Sequence, residues 1–413
     1  MFSKLNTIKL FTLIVRISGI GARFLLTFFI TKNISLQFQG EYTLISTTVT
    51  LLVIFFGLDF YVYANRLIVK KSDSEIYNLK NSLTFYSFFY LLTLPFFYVA
   101  YKIFNVDIVP FWVLFLLIIF EHLGQEFFRY YIALKKPLLA NILLFIRTGL
   151  WCLILDIGFL TLTPFKISLI NIVSLWLVCA FLSCFCGFYF YPNITEFFKQ
   201  KIDLRWIKKG VLVGLAMFLS TICLKIIEFS DRYLIAFFLD KKELGIYSLY
   251  FQITNVVNVM IFTMYVSFVY PDIIKGVHMK QVDELNKAKN TIFSKTFVIV
   301  GIYTVGSFAF LPLFLNYINR EELYDKILIF YILIISTLFS NLSFYSHFVL
   351  VGAEKEKMIL KATLIACVLN ITLNFLLVPT IGVYGAAISL LFSNFMLFII
   401  KRRFEKKMIS EWW

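Results

Sequence analysis

Two arginines, Arg16 and Arg23, interrupt an apolar run over residues 10–31. They are seven apart, so they point from one face of a helix, and no acid in that run neutralises them. In a second apolar run, 210–238, Lys225, Glu228 and Arg232 follow i, i+3, i+7 spacing, with Asp231 beside them. Glu228 and Arg232 are spaced to pair as i, i+4, which leaves Lys225 partly uncompensated. Arg147 and Asp156 stand nine apart, on opposite faces of a helix over 138–160. Over 110–130, His122, Gln125, Glu126 and Arg129 form a polar stripe with Glu121 next to it. Asp59, Glu126 and Arg129 lie near the ends of their runs, where long side chains snorkel.

Each such group costs about 2.5–3.5 kcal/mol at the centre of a bilayer on insertion scales, so these residues must do something that offsets it. Two readings are open. In one, the charges form interhelical ion pairs that hold a bundle together. In the other, Arg16, Arg23, Arg147, Lys225 and Arg232 are cations of a wet cavity that receives an anionic group such as phosphate. Arginine suits that task because its planar fork binds two oxygens. Glu121, Asp156, Glu228 and Asp231 are then candidates for titrating or binding a coupling ion. By depth, Arg16, Arg23, Arg147 and Lys225 lie near the middle of their runs, and among the acids Glu121 and Glu228 are comparable.

The elements that hold these residues follow from composition. Of 413 residues, 60% are hydrophobic and 15% charged, and 50 are Phe. Soluble chains are about 45–50% apolar and about 25% charged, so the surplus must face lipid. Runs long enough to span a bilayer cover roughly 10–31, 42–62, 83–101, 110–130, 138–160, 168–190, 210–238, 246–270, 297–316, 327–350, 362–379 and 386–400. That predicts an all-α, polytopic membrane protein with about 12 transmembrane helices. A polar stretch, Tyr191 to Lys209, separates two six-helix lobes, 1–205 and 206–413.

The connecting segments carry 26 Lys and Arg on one side and seven on the other, with six more inside the runs. The inner side includes Lys71 and a tail holding Lys401, Arg402, Arg403, Lys406 and Lys407; the outer side includes Lys166. This positive-inside bias places both termini in the cytoplasm. It also accounts for the net charge of +15 as a topology signal, with no nucleic-acid partner implied.

Other chemistry is excluded. The six cysteines lie in apolar runs without metal-ligand spacing and are expected to be small buried residues. No phosphate-binding loop of the G-x-x-x-x-G-K-[ST] type occurs, and Gly19-Ile20-Gly21 lacks the further glycine of a dinucleotide fingerprint. No cofactor, metal or catalytic residue is expected. The first run reads as a membrane helix rather than a signal peptide, because no small-residue cleavage site follows it. No long outer loop exists for a polymerase to hold a sugar chain. Gly40-Glu41-Tyr42 and Gly245-Ile246-Tyr247 each open an even-numbered span, and Gly382-Val383-Tyr384 opens the last. Such matching is expected of two halves repeated in the same orientation.

Asp231-Arg232-Tyr233-Leu234-Ile235 followed by Leu244-Gly245-Ile246-Tyr247-Ser248 resembles the seventh-helix signature of polysaccharide flippases. These belong to the multidrug/oligosaccharidyl-lipid/polysaccharide (MOP) exporter superfamily. Gly352-Ala353-Glu354-Lys355, Asn370-Ile371-Thr372-Leu373-Asn374 and Gly382-Val383-Tyr384-Gly385-Ala386-Ala387 are similar to its closing helices. Within the superfamily the chain looks most like the Wzx-type O-antigen flippases. The resemblance implies a non-enzymatic transporter in the bacterial inner membrane, with two lobes around a central cavity. It implies that an undecaprenyl-diphosphate-linked oligosaccharide moves from the cytoplasmic to the periplasmic leaflet by ion-coupled alternating access. A polysaccharide polymerase and a chain-length regulator are the partners implied beside the lipid-linked substrate and the bilayer. The alternatives are a drug or cation antiporter of the same fold and a membrane-embedded polymerase. More deep cations than deep acids argue against a cationic substrate.

Overall fold

The computed structural model describes residues 2–70, 74–103, 109–161, 167–191 and 194–412, and it is 91% helical with no strand among them. Lys71 and Lys166, counted above on the inner and outer sides, lie outside the described residues. Among the described residues eleven helices are long and apolar enough to cross a membrane, or twelve when the two parts of the helix over 204–238 are taken as one span. The apolar runs therefore become helices because a lipid environment leaves backbone N–H and C=O groups no partner except each other. Large side chains cover the outside: Phe237 is 76% exposed and Leu91 and Phe96 are 72% exposed. A water-facing protein does not carry such a surface. The chain is a multi-pass membrane protein.

In chain order the helices are α1 (Phe2–Asn33), α2 (Leu36–Gly57), α3 (Tyr61–Lys70), α4 (Glu75–Ile103), α5 (Phe111–Ala133) and α6 (Pro137–Phe145). A π-helical turn, Ile146–Leu150, leads from α6 into α7 (Trp151–Thr161). Then come α8 (Leu169–Tyr189), α9 (Ile194–Lys199), α10 (Leu204–Phe238) and α11 (Lys241–Ile261). A second π turn, Phe262–Val266, leads into α12 (Ser267–His278), followed by α13 (Val282–Ile318) and α14 (Glu321–Tyr324). The chain closes with α15 (Leu328–Gly352), α16 (Glu356–Ile381) and α17 (Val383–Ser410).

The chain forms two compact units. The first holds residues 1–29 and 45–218. The apolar run over 42–62 breaks here, because Leu58 and Asp59 adopt positive φ angles of 44° and 50° between α2 and α3. In the same unit α8 lies against α5, where Gly187 leaves room for the Phe127 ring. The start of α10 is anchored by Asp203. Its carboxylate accepts from the Trp206 and Arg205 N–H groups at 3.0 and 2.8 Å and from the Tyr77 hydroxyl at 2.8 Å. The Trp206 N–H and the Tyr77 hydroxyl hold this carboxyl below its ordinary value. Cys152, Cys179 and Cys184 are buried, as expected of small apolar residues, while Cys186 is half-buried.

The second unit holds residues 219–413 together with the segment 30–44 from the end of α1 and the start of α2. Three contacts tie that segment down. Lys241 pairs with Glu41 at 3.0 Å, the Arg320 guanidinium donates to the Lys32 and Ile34 carbonyls at 3.3 and 3.1 Å, and the Lys32 ammonium sits 3.2 Å from the centre of the Tyr317 ring. Gly382, at φ +67°, makes the turn from α16 to α17, a conformation that a Cβ would strain. The last helix does not stop near residue 400. α17 runs on to Ser410, and Lys401, read from sequence as part of a tail, is only 3% exposed inside the unit.

Candidate functional site

Arg147 sits in the π turn between α6 and α7. Its guanidinium pairs with the Glu121 carboxylate from α5 and also donates to the Glu121 carbonyl at 3.0 Å. Trp176 of α8 donates its indole N–H to the other Glu121 oxygen and stacks on Trp151 at 5.1 Å between ring centres. Gly124 makes the approach possible, since a Cβ there would fall 2.6 Å from Arg147 Cδ. Arg147 and Glu121 are 7% and 4% exposed. In this conformation they form a closed ion pair whose charges compensate each other.

The same π turn receives α1. A Cβ on Gly149 would fall 2.8 Å from Gly19 Cα, so the two helices cross with backbones in contact. Arg23 Nε donates to the Thr148 carbonyl at 3.0 Å, while the residue as a whole stays exposed. Arg16 is exposed and has no hydrogen bond or ion pair among the described residues. Asp156, on α7, is 3% exposed, and neither carboxyl oxygen has a hydrogen-bond partner among the described residues.

The polar stripe of α5 is a network rather than a set of snorkelling ends. Arg129 pairs with Glu126 at 2.6 Å, the Tyr86 hydroxyl donates to Glu126 at 2.7 Å, and Arg129 lies 3.6 Å from the centre of the Tyr61 ring. His122 is fully buried against Tyr90 and Tyr86.

In the second unit, α10 corrects one pairing. Glu228 bonds Lys225 at 2.6 Å, not Arg232. Both candidates share a face with Glu228, and the Arg232 guanidinium lies against the Phe229 and Phe251 rings, 4.7 and 4.6 Å from their centres. Asp231 is fully buried, and the Tyr247 hydroxyl of α11 donates to it. The two parts of the Asp231-Arg232-Tyr233 and Gly245-Ile246-Tyr247 signature are therefore bonded to each other. Next to them, the Ser230 hydroxyl donates to the Asn370 side-chain oxygen at 2.7 Å, and the Asn374 amide donates to the Asn370 carbonyl at 3.0 Å. Lys225 and Glu228 line a cavity of about 370 Å³ within this unit, together with Asn258, Ser340, His347 and Lys401. Sequence reasoning passed over Lys401 and His347; the usable signal was their polarity within or at the end of apolar runs.

A family of polysaccharide biosynthesis proteins matches residues 6–277. The chain belongs to this family. No curated protein matches the sequence. Among solved structures, the family member is similar to an inward-facing multidrug resistance MATE transporter of the MOP superfamily, with TM-score 0.75 at 14% identity over 96% of this chain and 98% of that one. It is also similar to the lipid II flippase MurJ in an inward closed conformation, with TM-score 0.71 at 13% identity over 97% and 87% of the two chains. An outward-facing MATE transporter matches at TM-score 0.64 and 15% identity, over 98% of this chain and 95% of that one. The fold of this polysaccharide biosynthesis protein is that of the MOP transporters.

Proposed function

We propose that the protein is a Wzx-type flippase. In this reading it moves an undecaprenyl-diphosphate-linked O-antigen unit, or a related polysaccharide repeat, from the cytoplasmic to the periplasmic leaflet of the bacterial inner membrane. The observation that carries the reading is the family match over residues 6–277 on a chain with the MOP transporter fold. Arg16 and Arg23 support it, because they are exposed cations on a membrane helix with no acid in that helix to compensate them. They form the first anion contacts. Arg147, Lys225 and Arg232 join when their present partners release them.

Coupling falls to the acids. Asp156 is the strongest candidate, since a buried carboxyl without a partner is a place for a proton or a cation to bind. Glu121, Glu228 and Asp231 already hold hydrogen-bond or ion-pair partners and would exchange them during alternating access. Both termini lie in the cytoplasm, and a polymerase and a chain-length regulator act on the same product.

The test is restoration of surface polysaccharide in a strain lacking its own flippase. Wild type restores it and Arg23→Ala does so poorly at equal abundance. Failure of wild type to restore any polysaccharide in its native strain background, combined with export of cationic dyes, would instead favour an antiporter of the same fold.

A further inference from the structure

The cavity of the second unit holds a basic group that no acid among the described residues pairs with. Lys401, from α17, is 3% exposed and lines this cavity. Among the described residues its ammonium makes no hydrogen bond, ion pair or ring contact. The carboxylate placed to answer it, Glu405 one turn further along, is taken: Arg402 pairs with it, and the Ser346 hydroxyl donates to it at 2.6 Å. Among the described residues that line the cavity the one carboxylate, Glu228, is held by Lys225 at 2.6 Å. A lysine this deeply buried, with no acid paired to it among the described residues, is costly to hold charged, and its place in the cavity lining opens it to a counter-charge that enters there.

The rest of the wall is suited to an oxyanion. Asn258, Ser336, Ser340 and Asn394 add neutral amides and hydroxyls. The Asn394 amide donates to the Ser336 oxygen at 3.0 Å, which leaves the Ser336 hydroxyl proton available to a guest. Phe251 and Phe344 give two aromatic walls. A volume of about 370 Å³ lies within the range of small-molecule sites and holds a diphosphate or one sugar ring.

We propose that this cavity is an oxyanion-binding site with Lys401 as its counter-charge. In naming a phosphate or a sugar carboxylate as the oxyanion, the proposal rests on the polysaccharide reading given above. The ammonium and the neighbouring hydroxyls bind the oxygens, and the aromatic walls cover the rest of the guest.

The test uses the purified full-length protein in lipid nanodiscs, with calorimetry and thermal melting. The probes are inorganic pyrophosphate, sodium glucuronate and, as a neutral control, glucose. Wild type should bind at least one of the two anions and melt higher in its presence; which one binds separates a diphosphate source from a sugar-acid source. Lys401→Met keeps the length of the side chain, removes the charge and should weaken binding by about tenfold or more. Without ligand, Lys401→Met should melt at or above wild type, because it removes an unanswered buried charge. Four results would overturn the proposal: neither anion binds, glucose binds as well as the anions, Lys401→Met binds as tightly as wild type, or ligand-free Lys401→Met melts lower. Binding does not depend on transport. If binding holds while surface polysaccharide is not restored, the flippase reading fails and the oxyanion site stands.

Discussion

Gly40 and Gly245 pack backbone against backbone within the second unit, and they do so reciprocally. A Cβ on Gly40 would fall 1.8 Å from the Lys241 carbonyl oxygen, and a Cβ on Gly245 would fall 1.9 Å from the Leu36 carbonyl oxygen. Each struck carbonyl lies four residues before the opposite glycine. Both glycines open a G-x-Y motif, so the two motifs meet each other in equivalent positions, as an internal repeat would arrange them. Only glycine permits so close a crossing.

Gly40→Ala and Gly245→Ala should therefore each destabilise the protein by about 1–3 kcal/mol or more, the usual range for overpacking. Gly21→Ala is the control, because nothing lies within 4 Å of a Cβ there. Thermal melting of the detergent-purified variants checks this. Equal melting temperatures for Gly40→Ala and Gly21→Ala would show that the crossing gives way easily.

The Arg147–Glu121 pair separates structure from function. Arg147→Ala strands a buried carboxylate and should cost about 3–5 kcal/mol, seen as loss of monodisperse protein on size exclusion. Replacing both residues with Leu should recover most of that abundance. If Arg147 also binds substrate, the double variant stays inactive in the polysaccharide-restoration assay at normal abundance. Recovery of activity along with abundance would assign the pair a purely structural role. Arg147→Lys keeps the charge but loses the fork, so it should be impaired if phosphate is gripped by two oxygens at once.

Tyr247→Phe removes the donor to the buried Asp231 carboxylate and should cost about 1–3 kcal/mol. Asp231→Asn in the Tyr247→Phe background should cost less than the two changes added together, because one interaction accounts for both. A double-mutant cycle by thermal melting decides this, and strict additivity would mean that the bond contributes little.

Reporter fusions placed after Lys209 and at the C-terminus should both report the cytoplasm. A periplasmic signal from either would contradict the inward bias of 26 basic residues against seven.

The membrane helices were legible in the sequence because each spans a bilayer by itself, and length and hydropathy decide that locally. Partners were not. Glu121 and Arg147 lie on different helices, and nothing in either run marks the other as its neighbour. For Glu228, spacing offered both Lys225 and Arg232, and spacing alone could not show that Arg232 lies against the Phe251 ring of another helix. The tail reading of Lys401 failed because α17 keeps its helix through a basic stretch, so one face of that stretch stays inside the unit. The assignment of residues 30–44 to the second unit depends on Glu41, Lys32 and Gly40 meeting residues some 200 positions or more away. The Asp231–Tyr247 bond, by contrast, joins two parts of a motif visible in the sequence.

As the flippase proposed above, the protein would carry a lipid-diphosphate-linked oligosaccharide across the membrane. The direct measurement is translocation of a fluorescent undecaprenyl-diphosphate-linked oligosaccharide in proteoliposomes, read as the fraction of label accessible to an external quencher. Wild type should exchange the label between leaflets in a protein-dependent manner. Arg16→Ala and Arg23→Ala should each be slower by about tenfold, the value of one charge-assisted contact. No translocation by wild type under proton or sodium gradients of either direction, with protein shown to be folded, would contradict the account.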